Sequence, residues 1–162
     1  MAKKGGGGTP ALQTLDAAGV PYQIHEYAHD PRSTVGFGLE SANVLGIEPE
    51  RNFKTLMVDV DGELAVGCVP ASGRLDLKAF AKSLGGKKAE LADPALAERA
   101  TGYIVGGISP LGQKRPAPTV IDETVELYDT VFVSGGRRGL TIELAPADLL
   151  RLTGAQVADI AR

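Results

Sequence analysis

The sequence lacks three features, and each absence excludes a class of protein. Cys68 is its single cysteine, so no disulfide can form within the chain, and we expect a reducing, cytoplasmic location. We see no signal peptide and no apolar run approaching the length of a membrane span, so we expect no contact with a membrane. Positive charge is not in excess either, because the formal net charge is −3. This balance argues against strong independent binding of nucleic acid.

What remains is typical of one soluble globular domain. The chain has 162 residues, with 43% hydrophobic and 23% charged, which is enough for a core. The N-terminal MAKKGGGG has no apolar stretch, so we predict that residues 1–8 are a disordered tail. Residues 9–162 contain neither a repeat nor a linker, and we predict that they form a single domain.

Capping and turn residues divide that domain into short elements. Predicted helices cover 10–19, 40–45 and 77–84, with two more that begin at Asp93-Pro94 and Pro146. Predicted strands cover 22–27, 53–60, 63–69, 103–105, 119–121, 127–134, 140–144 and 156–160. The Asp61-Gly62 pair between two strands is a strong hairpin signal. The pattern predicts a mixed α/β or α+β domain that is built on hairpins rather than regular βαβ units.

The segment Thr101–Arg115, TGYIVGGISPLGQKR, is the most informative part of the chain. Its Gly106-Gly107 pair lets backbone approach a ligand closely and can present bare N–H groups to it. Lys114 and Arg115 then place positive charge beside the loop. The segment suits either an acyl ester or a phosphate, or it is a tight turn followed by a solvated loop.

Residues 25–29 read HEYAH, which matches the H-E-x-x-H pattern of zinc sites. That chemistry needs both histidines on one helical face, but Pro21 and Pro31 flank the motif and its residues alternate with the period of a strand. On a strand, His25 and His29 would lie roughly 13 Å apart, too far to share one ion. We therefore predict no metal and no other cofactor.

Several further side chains allow two interpretations each. Lys54 shares a strand face with Leu56 and Val58, so it either reaches solvent at the strand end or is held inward for a ligand. Tyr27 either packs on its strand or faces a pocket. Cys68 suits a small core residue better than a nucleophile. Arg74 to Lys88 and Arg137-Arg138 are basic stretches that are either solvated or in contact with phosphates.

Taken together, six blocks of the sequence resemble the YbaK/EbsC-type Cys-tRNA(Pro) deacylases, free-standing relatives of the editing domain of bacterial prolyl-tRNA synthetase. The resemblance runs from about Thr9 to Arg162. Its blocks are HEYAHDP (25–31), FKTLMV (53–58), GRLDLKAFAKSLGGKK (73–88), ADPALAERATGYIVGGISPLGQKR (92–115), VSGGRRGLTIEL (133–144) and ADIAR (158–162). It implies a compact mixed α/β fold with a curved, barrel-like sheet and flanking helices.

The resemblance also implies a site. Its catalytic residues would be Lys54, Gly106, Gly107 and Tyr27, and its substrate-binding residues would be Phe37, Ser109, Pro110 and Thr141. Some relatives carry an acidic residue at the position of Thr141, and a threonine cannot serve as a carboxylate base or anchor an ammonium as strongly.

The implied activity is hydrolytic removal of cysteine mischarged onto proline tRNA. The implied mechanism is attack of the substrate's own thiol on its carbonyl, with the protein supplying positioning and oxyanion stabilisation. The expected partners are the acceptor end of mischarged proline tRNA and prolyl-tRNA synthetase. Two alternatives stay open: removal of another small amino acid such as alanine by water, and a noncatalytic module that binds aminoacyl-tRNA or a nucleotide.

Overall fold

The computed structural model describes residues 8–162, so the predicted tail lies outside the described residues except for Gly8. The described chain alternates between short helices and strands. The α-helices are α1 Pro10–Ala18, α2 Phe37–Leu45, α3 Leu77–Ser83, α4 Pro94–Thr101 and α5 Pro146–Thr153. The strands are β1 Gln23–Glu26, β2 Phe53–Val60, β3 Glu63–Pro70, β4 Ala89–Leu91, β5 Thr119–Asp122, β6 Val131–Ser134, β7 Leu140–Leu144 and β8 Gln156–Ala158. Two 3₁₀ helices cover Pro49–Arg51 and Glu123–Leu127.

The predicted caps explain why the helices begin and end where they do. The Thr9 hydroxyl accepts from the Leu12 N–H at 3.3 Å, and the Asp93 carboxylate accepts from the Leu96 N–H at 3.1 Å. Each satisfies an amide that the first helical turn leaves without a partner. At the other end of α1, Gly19 adopts φ 70°, as a left-handed C-cap requires. These boundaries confirm the predictions for α1 and α4.

The strands form two sheets. The larger has the order β4-β2-β3-β5-β8, with β4, β2 and β3 antiparallel and β5 parallel to both β3 and β8. The smaller is antiparallel, with the order β1-β7-β6. The single mixed α/β domain confirms the predicted fold class. The sheets do not close into a barrel, because β1 and β8 have no second strand partner within residues 8–162.

One edge of β2 is divided between the two sheets, and this division positions the site. Just before the strand, Asn52 forms a parallel bridge with Phe132 of β6. At its other end, Val58 to Val60 pair with β4. Between them, residues 53–57 have no strand partner on that edge within the described chain. The gap leaves room for a cavity beside β2.

Two predicted strands need correction. Residues 103–105 form no strand, because the Tyr103 N–H donates to Thr101 Oγ1 and the Val105 N–H donates to the Glu98 carboxylate. Local partners thus take the groups that a sheet ladder would need. The strand predicted over 127–134 begins only at Val131, because Asp122 caps a 3₁₀ helix that ends at Leu127.

Other boundaries differ less. Helix α2 begins at Phe37, three residues before its predicted start, and β4 was not predicted. The core has two clusters: a larger one between the sheets, α1, α4 and α5, and a smaller one around Phe80 and Val58. No helix within residues 8–162 combines the length and the apolar character needed to cross a membrane.

Candidate functional site

A cavity of about 480 Å³ lies beside the unpaired edge of β2. Its walls come from α2, β2, the end of β4, the start of α4 and two glycine-containing loops. Its polar lining residues include Tyr27, Ser41, Asn52, Lys54, Ser134, Arg137 and Thr141. Apolar residues make up much of the remaining lining, among them Leu39, Leu56, Met57, Leu91, Ala92, Pro94, Ala97 and Ile108. Cavities of this size and mixed lining are typical of small-molecule sites.

The structure brings five predicted site residues together in this cavity. They come from distant parts of the sequence: Tyr27, Phe37, Lys54, Gly106 and Thr141. Gly107, Ser109 and Pro110 do not line it. Their contacts show what they do instead, and they are described below.

Lys54 lies on β2 at the wall of the cavity and is only partly exposed. Burial lowers the pKa of its ammonium, and the nearby charge of Arg74 lowers it further. None of the ion pairs found within residues 8–162 includes Lys54. The inward interpretation of this lysine therefore fits the structure, and its charge is available to a ligand.

The two glycine loops contact each other through backbone. A Cβ on Gly107 would lie 2.6 Å from the Arg137 Cα, so a side chain there would separate the loops. The Gly107 N–H donates to the Ile104 carbonyl at 2.9 Å, which engages this amide within the turn. Gly106, at φ 92°, is the glycine of the pair whose backbone lines the cavity.

Ser109 and Pro110 are buried behind the loop rather than exposed to the cavity. The Ser109 hydroxyl accepts from the Leu111 N–H at 3.2 Å, and its carbonyl accepts from the Gln113 side chain at 3.0 Å. These bonds fix the course of the chain after Gly106. The structure thus gives both residues a role in the shape of the loop.

Phe37 contacts a histidine ring and an arginine guanidinium. The His29 ring lies 5.1 Å from its centroid, and the Arg138 guanidinium lies 5.2 Å from it. Arg138 also donates to the Val105 carbonyl at 2.9 Å. A Cβ on Gly106 would lie 2.7 Å from the Phe37 ring. The Phe37 ring therefore packs against the loop at Gly106 and makes a cation–π contact with Arg138.

Tyr27 follows β1 and reaches the cavity beside Gly139. Its N–H donates to the Gly139 carbonyl at 2.9 Å, which continues the pairing of β1 with β7. Burial raises the pKa of its phenol, and the charge of Glu40 raises it further. Tyr27 therefore stays a neutral hydroxyl that can donate or accept a hydrogen bond.

Thr141 and Ser134 are directly opposite each other on β7 and β6, and both face the cavity. Sequence reasoning missed Ser134 and also Asn52, whose amide donates to the Gly38 carbonyl at 2.7 Å and to Ser41 at 2.8 Å. Asn52 thereby holds the start of α2 against β2. The position of an asparagine directly before a strand would have signalled a turn, not this contact.

The two histidines of HEYAH have different partners. His25 lies on β1, and its Nε2 is 2.9 Å from the Glu143 carboxylate; the His29 Nδ1 is 2.7 Å from the Glu40 carboxylate. Among residues 8–162, no group of three or more potential ligands is placed to hold a metal ion. Cys68 is fully buried in β3, where burial raises its pKa to about 12, so it is a core residue as predicted.

Comparisons with known proteins identify a family and several relatives. Residues 37–152 match the profile of the aminoacyl-tRNA editing domain. The chain is 42% identical to EbsC of Enterococcus faecalis, which is assigned as a Cys-tRNA(Pro)/Cys-tRNA(Cys) deacylase, over 94% of this chain and 92% of that one. It is 27% identical to ProXp-y of Escherichia coli (strain K12), a multifunctional Ser/Thr-tRNA deacylase, over 67% of this chain and 68% of that one.

The fold has solved counterparts as well. One, described as a trans-editing enzyme for prolyl-tRNA synthetase, superimposes with a TM-score of 0.80 and 30% sequence identity. The match covers 94% of this chain and 92% of that chain. Sequence and backbone similarity therefore extend over almost the whole domain.

Proposed function

Since the chain belongs to the aminoacyl-tRNA editing domain family, we propose that it is a trans-editing hydrolase that deacylates cysteine mischarged onto proline tRNA. The observation that carries the proposal is the partly buried, unpaired Lys54 in a cavity beside Gly106. A cation and a glycine backbone are the groups that an ester site needs to stabilise a developing oxyanion.

The similar size of proline and cysteine explains why such an enzyme is needed. Proline and cysteine are similar in volume, and small apolar differences in a synthetase pocket are worth only about 1–3 kcal/mol. A separate editing site can reject the wrong product by its own chemistry. Here that chemistry would be the thiol, which proline lacks.

The reaction would proceed by transfer of the acyl group to the substrate's own sulfur. The thiol sulfur attacks the ester carbonyl, a carbon–sulfur bond forms, and the bond to the ribose oxygen breaks. The thiol proton ends on that oxygen, so tRNA leaves with its terminal hydroxyl restored. The resulting four-membered thiolactone then reacts with water to give cysteine. Lys54 would stabilise the oxyanion, while Tyr27 and Phe37 would orient the acyl group.

A second candidate, deacylation of other small amino acids by water, is favoured by the similarity to a Ser/Thr-tRNA deacylase. A panel of proline tRNA charged with cysteine, alanine, serine or proline separates the candidates. The primary proposal expects rapid loss of the cysteinyl ester and at least tenfold slower loss of the other three. Comparable rates for serine or alanine would contradict thiol assistance, and ligand binding without cleavage of any ester would favour the noncatalytic alternative.

A further inference from the structure

The charged residues that line the cavity are all cationic. Lys54 lines it and takes part in none of the ion pairs within residues 8–162, and Arg74 adds a positive charge near Lys54. Arg137 also lines it, but its guanidinium is paired with the Glu26 carboxylate at 2.8 Å. No residue that lines the cavity in the described chain is an aspartate or a glutamate. Thr141 lies opposite Ser134, and both are neutral hydroxyl residues of the lining.

The carboxylates around the cavity are already engaged elsewhere. Their partners are Arg137 for Glu26, His29 and the Asp30 N–H for Glu40, the Leu96 N–H for Asp93, the Val105 N–H for Glu98, and His25 and Thr130 for Glu143. Glu90 alternates with the lining residue Leu91 on β4, so it lies on the opposite face. The charge of Glu40 still reaches Tyr27, but no carboxylate is among the lining residues in the described chain, so a cationic ligand would meet no counter-ion in the cavity itself.

An aminoacyl ester presents a cationic ligand of this kind, because its α-amino group is an ammonium at low pH. Burying an ammonium without a counter-ion, beside the ammonium of Lys54, is costly. Removing its proton is cheap by comparison, because α-amino groups titrate at about 7.7–8.0 and each pH unit costs about 1.4 kcal/mol. A neutral amine can hydrogen-bond to the hydroxyls of Ser134, Thr141 and Tyr27.

We propose that the cavity binds the aminoacyl ester with its α-amino group uncharged, and that it therefore accepts esters in which a hydroxyl replaces this group. The inference rests on the proposed function and specifies its substrate class: thiol-bearing acyl esters, whether α-amino or α-hydroxy.

The test compares two esters of proline tRNA, cysteinyl and 3-mercaptolactyl, on the unmodified protein. For each ester, kcat/KM is divided by the rate of its uncatalysed hydrolysis, and the two normalised values are compared as a ratio. Both esters carry the same thiol, so the effects of ionisation of that thiol and of Lys54 largely cancel in this ratio. We expect this ratio, hydroxy over amino, to be at least one near neutral pH. It should also rise about tenfold per pH unit below the pKa of the amine. A ratio below 0.1 that does not change with pH would overturn the inference.

A substitution can place a carboxylate in the cavity. Thr141→Asp should shift the ratio at least tenfold toward the cysteinyl ester and flatten its pH dependence, whereas the matched Thr141→Asn should leave the ratio within about twofold. Ser134→Asp tests the same idea from β6. Equal ratios in the unmodified protein and in a folded aspartate variant would contradict the inference.

The outcomes also separate the two proposals. Cleavage of the cysteinyl ester without cleavage of the hydroxy ester overturns the inference and leaves the proposed function intact. Failure to cleave either ester overturns the proposed function, and the inference falls with it.

Discussion

At the scale of single residues, Lys54 combines partial burial with a charge that forms no ion pair with a carboxylate of residues 8–162. Burial makes the ammonium less favourable in the folded protein, so its charge contributes nothing to stability there. Residues that carry such a cost are commonly kept for function rather than for folding. This reasoning leads to two predictions, one for a substitution and one for pH.

Lys54→Met should lower kcat/KM for the cysteinyl ester at least 100-fold, because it removes the charge and keeps most of the length of the side chain. The melting temperature should stay unchanged or rise by up to about 3 °C, since 1 kcal/mol corresponds to about 2–4 °C in a domain of this size. Arg99→Met, which removes an exposed cation of α4 outside the cavity, is the matched control and should keep full activity. Near-normal turnover in a folded Lys54→Met protein would exclude a catalytic role for Lys54.

The pH profile should carry the signature of the same lysine. Because burial and Arg74 lower the pKa of Lys54 from its ordinary value of 10.5, the ammonium is lost at a lower pH than in an exposed lysine. We expect kcat/KM, divided by the uncatalysed rate, to fall on the alkaline side with a midpoint below pH 10.5. Lys54→Arg should retain part of the activity and lose this alkaline limb, because guanidinium does not titrate there. An identical limb in both proteins would assign it to another group.

At the scale of elements, contact between the two glycine loops fixes the shape of the cavity. Gly107→Ala should destabilise the domain by about 1–3 kcal/mol, the usual cost of overpacking, because its Cβ would meet the backbone of Arg137. Gly46→Ala is the control, since Gly46 has a positive φ but open space around it, and its cost is limited to about 1–2 kcal/mol of backbone strain. Deacylation at a temperature where both variants are folded should fall more in Gly107→Ala. Equal activity in the two would show that the loop contact does not shape the site.

The histidine motif gives a prediction about metal. His25 and His29 are bound by carboxylates from β7 and α2 respectively, so a shared ion would have to break both contacts. Dialysis against a strong chelator should therefore leave deacylation unchanged. Stoichiometric zinc by elemental analysis, with activity that disappears when the zinc is removed, would contradict this prediction.

Most elements could be predicted from local signals, while the site could be predicted only in part. Caps such as Asp93 and the Asp61-Gly62 turn act over a few residues, so the sequence pattern determines them. For Lys54, strand alternation left an outward and an inward orientation open, and only the family resemblance implied that it belongs to the site. By contrast, the hydrogen bond from the Gly107 N–H to the Ile104 carbonyl and the burial of Ser109 depend on how one loop folds back on itself. The contact between residues 107 and 137 is a long-range effect that no local pattern contains.

At the scale of the whole molecule, the net charge of −3 limits how tightly the protein can hold tRNA. Phosphate contacts supply much of such affinity and weaken as salt rises. We therefore expect weak, salt-sensitive binding of isolated tRNA, through Arg74 to Lys88 and Arg137-Arg138. Adding prolyl-tRNA synthetase should raise deacylation at physiological salt at least tenfold, because a bound synthetase raises the effective concentration of substrate. A synthetase for another amino acid is the control.

Two results would contradict this view of the partners. One is tight binding of proline tRNA by the protein alone, with a preference over other tRNAs that persists without the synthetase. The other is an equal increase in deacylation with a non-cognate synthetase.

The divided edge of β2 has an evolutionary consequence. Residues 53–57 span about 17 Å at 3.3–3.4 Å per residue. The length of this gap is set by the pairings at its two ends, with β6 and with β4. A shift of β6 by one residue would turn its buried side chains toward solvent, so the β6 end of the gap can move only in steps of two residues. At this end, acyl preference can change gradually only through the side chains along the gap. Descendants of this fold should therefore diversify by substitution at those positions while the β6 end of the gap stays fixed.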